Sequence, residues 1–228
     1  MMKDFLELLN NDKIEYDQDM LDKFEIYYET LIEWNKKMNL TAITDKEEVY
    51  KKHFYDSLCL AKALPMKNQT LLDVGSGAGF PSIPLKIIYP NLKVTIVDSL
   101  KKRIGFLENL IDKIGVDITL IHSRIEDFEL KESFDIVTAR AVANLTILTE
   151  FCMPFVKVNG YFLPLKSKSL NEELSQALQA IKILGGKYIK TIDYSYNNLE
   201  RYIVMINKKK ESPKKYPRDF SKIKKQPL

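Results

Sequence analysis

The chain has 228 residues, 45% hydrophobic and 29% charged, enough for one well-packed core with a small appendage. No apolar run approaches the roughly 20 residues that a membrane span needs, and no basic segment followed by a long apolar one opens the sequence, so the expectation is a cytoplasmic protein without membrane contact. The net charge of +4 is unevenly placed: residues 208–228 hold nine Lys or Arg against two Asp or Glu, a local +7 that leaves about −3 for residues 1–207. Such tails contact phosphate backbones or stay solvated, and charge alone does not separate the two.

The first 65 residues read as helical. Leu21, Phe24, Tyr28, Leu31 and Trp34 recur at helix spacing and predict one apolar face. Thr44-Asp45-Lys46-Glu47 has the form of a capping box, and the helix it opens is expected to run to about Leu64, before Pro65. Cys59 and Cys152 lie far apart in apolar helical patterns and are expected to be buried, reduced thiols, with no metal site.

From about residue 70, strands and helices alternate. Strands are expected at Thr70–Val74, Lys93–Asp98, Val116–Ile121, Phe134–Ala139, Tyr161–Leu165, Lys187–Tyr194 and Arg201–Asn207, with helices at about 81–89, 100–114, 144–157 and 169–184. Leu100, Ile104, Leu107, Ile111 and Ile114 mark the apolar face of the second of these. Strands spaced by helices predict an α/β fold with a mostly parallel, doubly wound sheet. The last two strands are joined by a turn near Asn197-Asn198 too short for a helical crossover, so they are expected to form an antiparallel hairpin.

The loop Asp73-Val74-Gly75-Ser76-Gly77-Ala78-Gly79 follows the first strand and precedes a helix starting near Pro81. That junction is where open α/β sheets bind ligands, and glycine lets a ligand approach the backbone closely. A dinucleotide fingerprint would place a third glycine where Phe80 stands, and no Gly-Lys-Ser/Thr follows, which excludes a phosphate-binding P-loop. The spacing Asp-x-Gly-x-Gly-x-Gly resembles the first motif of methyltransferases that use S-adenosylmethionine. Asp98 ends the second strand, where a carboxylate can accept from both ribose hydroxyls or cap the next helix together with Ser99. Ser123-Arg124-Ile125-Glu126-Asp127 follows the third strand, either at the position from which this fold reaches adenine or as a plain exposed, charged connection.

The exit of the fourth strand, Thr138-Ala139-Arg140-Ala141-Val142, lacks the Asn/Asp-Pro-Pro-aromatic element usual in methylation of exocyclic amines. No cysteine stands where cytosine-C5 chemistry needs its nucleophile. Arg140 suits stacking on a base or gripping a phosphate or carboxylate; a salt bridge is the structural alternative. His53 and His122 are expected to be structural rather than general bases.

Over nearly its whole length the sequence resembles the bacterial 16S rRNA guanine-N7 methyltransferases, also called glucose-inhibited division protein B. The resemblance rests on Trp34-Asn35-Lys36-Lys37-Met38-Asn39-Leu40-Thr41-Ala42, His53-Phe54-Tyr55-Asp56-Ser57-Leu58, the glycine loop through Phe80-Pro81, Val97-Asp98-Ser99, Ala139-Arg140-Ala141 and Tyr216-Pro217-Arg218. It implies a class I methyltransferase of Rossmann-like fold, with a seven-stranded, mostly parallel sheet. The implied division is a helical extension at 1–65, the catalytic domain at 66–207 and a basic tail at 208–228. The implied reaction is methyl transfer from S-adenosylmethionine to N7 of one guanine in the 530 loop of 16S rRNA, free or in the 30S particle, by a monomer.

The resemblance further implies that Gly75, Gly77, Phe80, Asp98, Ser99, Ile125 and Glu126 hold the cofactor. Arg140 would lie between cofactor and guanine as the positioning residue of catalysis. Arg124, Lys166, Arg201 and, from the tail, Arg218 would face RNA. Removing the tail is expected to weaken RNA binding while sparing the cofactor. The chain departs from the family pattern at Ser82, Tyr202, Phe220, Ile223 and Gln226.

Overall fold

The computed structural model describes residues 3–140, 142–167, 170–196 and 199–228. Two helices open the chain, α1 (Lys3–Asn11) and α2 (Gln18–Asn35), the second capped by Asp17, whose side chain accepts from the Met20 N–H. The next helix starts at α3 (Lys46–Val49), with Asp45 rather than Thr44 as its cap, so the expected capping box is displaced by one residue. It continues through a π-type turn at Tyr50–Tyr55, α4 (Asp56–Leu58) and a tight turn at Cys59–Lys62. π-type turns cluster at functional sites, and this one carries His53.

The sheet follows. Strands β1 (Thr70–Val74), β2 (Lys93–Asp98), β3 (Ile118–His122), β4 (Phe134–Thr138) and β5 (Val156–Phe162) are parallel, with order β3-β2-β1-β4-β5. After a break at Leu163-Pro164 the chain forms β6 (Leu165–Lys166), a short continuation of the fifth strand. The closing hairpin, β7 (Gly186–Tyr196) and β8 (Leu199–Lys208), is antiparallel, and β8 pairs with both β5 and β6. With β5 and β6 as one interrupted strand, this is the expected seven-stranded plan. The turn at Asn197-Asn198 lies outside the described residues.

Helices α5 (Ser82–Ile88), α6 (Lys101–Ile114), α7 (Leu145–Cys152) and α8 (Leu170–Ile183) connect the strands, and α9 (Phe220–Lys225) follows the sheet. The helix expected at 144–157 stops early because Pro154 cannot continue it; the turn at Met153–Phe155 leads straight into β5. Leu100 is 51% exposed and precedes α6, whose buried face is carried by Ile104, Phe106, Leu107, Leu110 and Ile114.

Alternation along the strands divides the core in two. Leu71, Ile96 and Ile136 pack with α1, α2, α5, α6 and the His53-bearing helix. Leu72, Val74, Val97 and Val137 pack with α7, α8 and the tail residues Tyr216 and Ile223. The segments 1–65 and 208–228 therefore share cores with the sheet. The tail is ordered: Lys208 is fully buried, with Nζ donating to the Met153 carbonyl and Ser212 Oγ, each at 2.7 Å, so part of the +7 is committed inside the protein.

The candidate cofactor and substrate clefts

Register brings the site together. Val74 pairs with Val97 and Asp73 with Thr138, so the glycine loop, Asp98 and Arg140 leave the same edge of the sheet. Strand order reverses between β1 and β4, and that reversal opens a crevice at the carboxyl ends of the strands. The cleft there is about 810 Å³. Its floor is the glycine loop with Phe80, one side is formed by Asp98, Ser99 and the Ser123–Glu126 segment, and the other by Arg140 and α7.

The loop is held from beneath. Asp73 is fully buried, and its Oδ2 accepts from Ser82 Oγ at 2.6 Å and the Ser82 N–H at 3.3 Å. The departure at Ser82 thus supplies a donor for a buried carboxyl. Gly79 has φ +93°, and a Cβ there would lie 2.6 Å from Ile83 and 2.8 Å from the Tyr27 hydroxyl. Tyr27 donates to the Ala78 carbonyl, and its ring stacks on Phe80 at 5.4 Å. The sequence pattern pointed to Tyr28, but Tyr27 is the fully buried residue and Tyr28 is half-buried.

Burial pushes the Asp73 carboxyl up to about 7, against the pull of Ser82. In the unfolded chain it ionises near 4. Between these values the folded protein keeps a proton that the unfolded chain has lost, so stability falls as pH rises through this window and levels above it. In urea titrations, Asp73→Asn should gain on the wild type by about 3 kcal/mol between pH 4.5 and 7.5. A difference constant across that range would mean that another group titrates.

The cleft's polar groups fit a nucleoside cofactor. Asp98 is 2% exposed and lines the cleft. Its Oδ1 accepts from the Leu100 N–H at 2.9 Å, while Oδ2 has only longer contacts, to Gly77 N at 3.2 Å and Arg103 at 3.5 Å. Ser76 is a lining residue of the cleft, and its Oγ is buried without a hydrogen-bond partner. Ile125 is buried, and Glu126 lies 3.6 Å from the exposed Arg124.

Arg140 stands in the wall between this cleft and a second one of about 300 Å³. Its Nη1 donates to Asp56 Oδ2 at 3.0 Å and to the Lys52 carbonyl at 3.4 Å, and its guanidinium lies 4.8 Å over the Phe80 ring. Asp56 is buried and also accepts from Tyr194 at 2.9 Å and Tyr196 at 3.0 Å, with Arg201 Nε at 3.5 Å. This carboxylate fixes Arg140 and Arg201 together, a role with no local sequence signal. His53 stacks on Phe80 at 4.7 Å; burial, then the nearby Arg140, push its pKa down to about 3. Neutral, it donates from Nδ1 to the Lys52 carbonyl and accepts at Nε2 from Thr41, which is 2.7 Å away.

The second cleft is lined by Lys52, Arg140, Lys166 and Arg201 against Asp56 and Glu173, with His53 neutral, so cations outnumber carboxylates. Lys166 is held by Glu173 at 2.6 Å. Arg218 lies elsewhere. Its guanidinium clamps the fully buried Glu150 through Nε at 2.7 Å and Nη2 at 2.6 Å, and its Nη2 also donates to the Gln226 carbonyl at 3.0 Å. Expected to face RNA, Arg218 is held in the structure as a strap that fastens the tail to α7, because a buried carboxylate demands a charged partner. Both cysteines are buried, and burial raises their thiols, so neither is poised as a nucleophile.

Known proteins show the family and the fold to which this chain belongs. A family model described as rRNA small subunit methyltransferase G matches residues 20–203. The chain is 51% identical to Ribosomal RNA small subunit methyltransferase G of Lactococcus lactis subsp. lactis, over 99% of this chain and 98% of that protein. It is 53% identical to the protein of the same name from Halalkalibacterium halodurans, over 92% of each. A solved structure described as a SAM dependent methyltransferase from Aquifex aeolicus superposes with a TM-score of 0.56 over 77% of this chain and 97% of that one; at 16% identity it speaks for the fold.

Proposed function

From the membership of this chain in the rRNA small subunit methyltransferase G family, we propose that it methylates N7 of one guanine in the 530 loop of 16S rRNA, using S-adenosylmethionine. The observation that carries the reading is the shared wall. Arg140 and His53 line both the nucleoside-shaped cleft and the cationic cleft beside it, so two ligands can meet across them.

S-adenosylmethionine supplies a methyl carbon on a sulfonium, which leaves as the neutral sulfide S-adenosylhomocysteine. On the protein side, Asp98 takes the ribose hydroxyls on its weakly used Oδ2. Gly75, Gly77 and Ser76 receive the amino-acid end, and Ser99, Ile125 and Glu126 the adenine end. Phe80 forms the floor beneath the reacting centre. Arg140 orients the guanine, and the cationic cleft with Lys166 and Arg201 takes its phosphodiester chain, while the exposed Arg124 of the larger cleft adds a further RNA contact.

Guanine N7 has a free lone pair and would accept the methyl group that bound S-adenosylmethionine would supply, with S-adenosylhomocysteine as the leaving group. No proton has to be removed. That accords with His53, whose low pKa makes it a poor base. Rate then comes from placement in line behind the methyl carbon. In this reading the protein works as a monomer in the cytoplasm; no helix among the described residues is long and apolar enough to cross a membrane.

The test is to incubate purified protein and labelled cofactor with unmodified 16S rRNA and with 30S particles, then map N7-methylguanosine. Label at one guanine of the 530 loop in either substrate supports the proposal. Active, cofactor-binding protein that labels neither would overturn it.

A further inference from the structure

Where the sequence alone suggested an RNA-only tail, the geometry points to a cofactor role: we infer that the ring of Phe220 on α9 forms a wall for the adenine of S-adenosylmethionine. The inference rests on the cofactor reading above. Phe220 and Lys224 are four residues apart, share one face of α9 and line the larger cleft together with Ile147 and Phe151 of α7. The Phe220 and Phe151 rings lie 5.9 Å apart at 34°.

The helix is not loosely placed. Ile223 is fully buried and Tyr216 nearly so, while the Arg218–Glu150 clamp fixes the chain just before α9. Against that anchoring, Phe220 stays 42% exposed. An aromatic ring half open to water, on a helix pinned by its neighbours and bordering a ligand cleft, has a face to offer a flat partner.

The adenine end is the part of the ligand that fits. Asp98 marks the ribose, and the glycine loop lies to one side of it. The same cleft is also lined by Ile125, Ile147, Phe151 and Phe220, which with the Phe151–Phe220 ring pair offer apolar surfaces suited to the faces of a purine. The exposed Lys222 lies on the same short helix, so one element serves the cofactor with one face and offers charge to solvent with another.

The experiment is calorimetry of the full chain with S-adenosylmethionine and with S-adenosylhomocysteine, without RNA. Phe220→Ala should raise both Kd values roughly five- to tenfold, with Phe220→Trp staying near wild type. Lys222→Ala should leave both unchanged, and melting temperatures should verify that every variant is folded. Wild type that binds while Phe220→Ala binds within about twofold of it would overturn the inference alone. Wild type that binds neither compound would overturn the cofactor reading and the inference with it.

Discussion

Replacing Arg140 by alanine is expected to lower methyl transfer by roughly 10²- to 10³-fold, the cost typical of losing one fixed charged group at a reacting centre. The fold should survive. Asp56 would keep Arg201, Tyr194 and Tyr196 as partners, so its buried charge is not orphaned. What disappears is the plane packed over Phe80 and the Nη1 donor that reaches Asp56 and the Lys52 carbonyl. Arg140→Lys should recover little, because an ammonium restores the charge but not the planar surface over Phe80. Cofactor affinity should fall as well, since Phe80 loses its cover. His53 supplies an independent readout: without the neighbouring guanidinium its pKa should climb from about 3, although burial still holds it below the ordinary value. Single-turnover rates, calorimetry and a histidine NMR titration would check the three effects. Unchanged turnover and unchanged cofactor affinity together would remove Arg140 from the site.

The parts of this site legible in sequence are those whose physics is local. Thr70–Val74 and Lys93–Asp98 begin and end where expected, because buried parallel strands read as apolar runs ended by turn residues. The glycine loop and Asp98 are fixed by their positions at strand ends. The Asp56 hub is different. It gathers partners from residues 140, 194, 196 and 201, which only the closed sheet brings together. The choice between Tyr27 and Tyr28 is lost for another reason: adjacent aromatics on a helix differ by a rotation of about 100°, which a pattern of five apolar positions tolerates. Glu150 did leave a signal. An acidic residue within Leu145-Thr146-Ile147-Leu148-Thr149-Glu150-Phe151-Cys152 is a carboxylate headed for the core, and such a residue requires a cation from elsewhere in the chain. Counting the tail as a uniform positive patch hid that Arg218 is this cation and that Lys208 is buried.

Arg218→Ala therefore carries the second large effect, and it falls on stability before it falls on RNA. Removing one partner of a buried, hydrogen-bonded ion pair leaves an uncompensated charge and costs about 3–5 kcal/mol; the partial exposure of Arg218 argues for the lower end. For a chain of this length each kcal/mol corresponds to roughly 2–4 °C, so the melting temperature should drop by about 6–12 °C. Glu150→Gln in the Arg218→Ala background should recover part of that loss, because the orphaned charge is gone while much of the volume remains. The recovery separates this account from a direct contact with RNA. If Arg218 only gripped phosphate, its loss would shift RNA affinity and its salt dependence, and melting of the free protein would not move. In the strap account, melting falls first, and ligand affinities follow because Phe220 and Lys224, which line the larger cleft, both depend on where Arg218 sets the helix down. A melting temperature within about 1 °C of wild type for Arg218→Ala would show that the tail is held by Tyr216 and Ile223 without the ion pair.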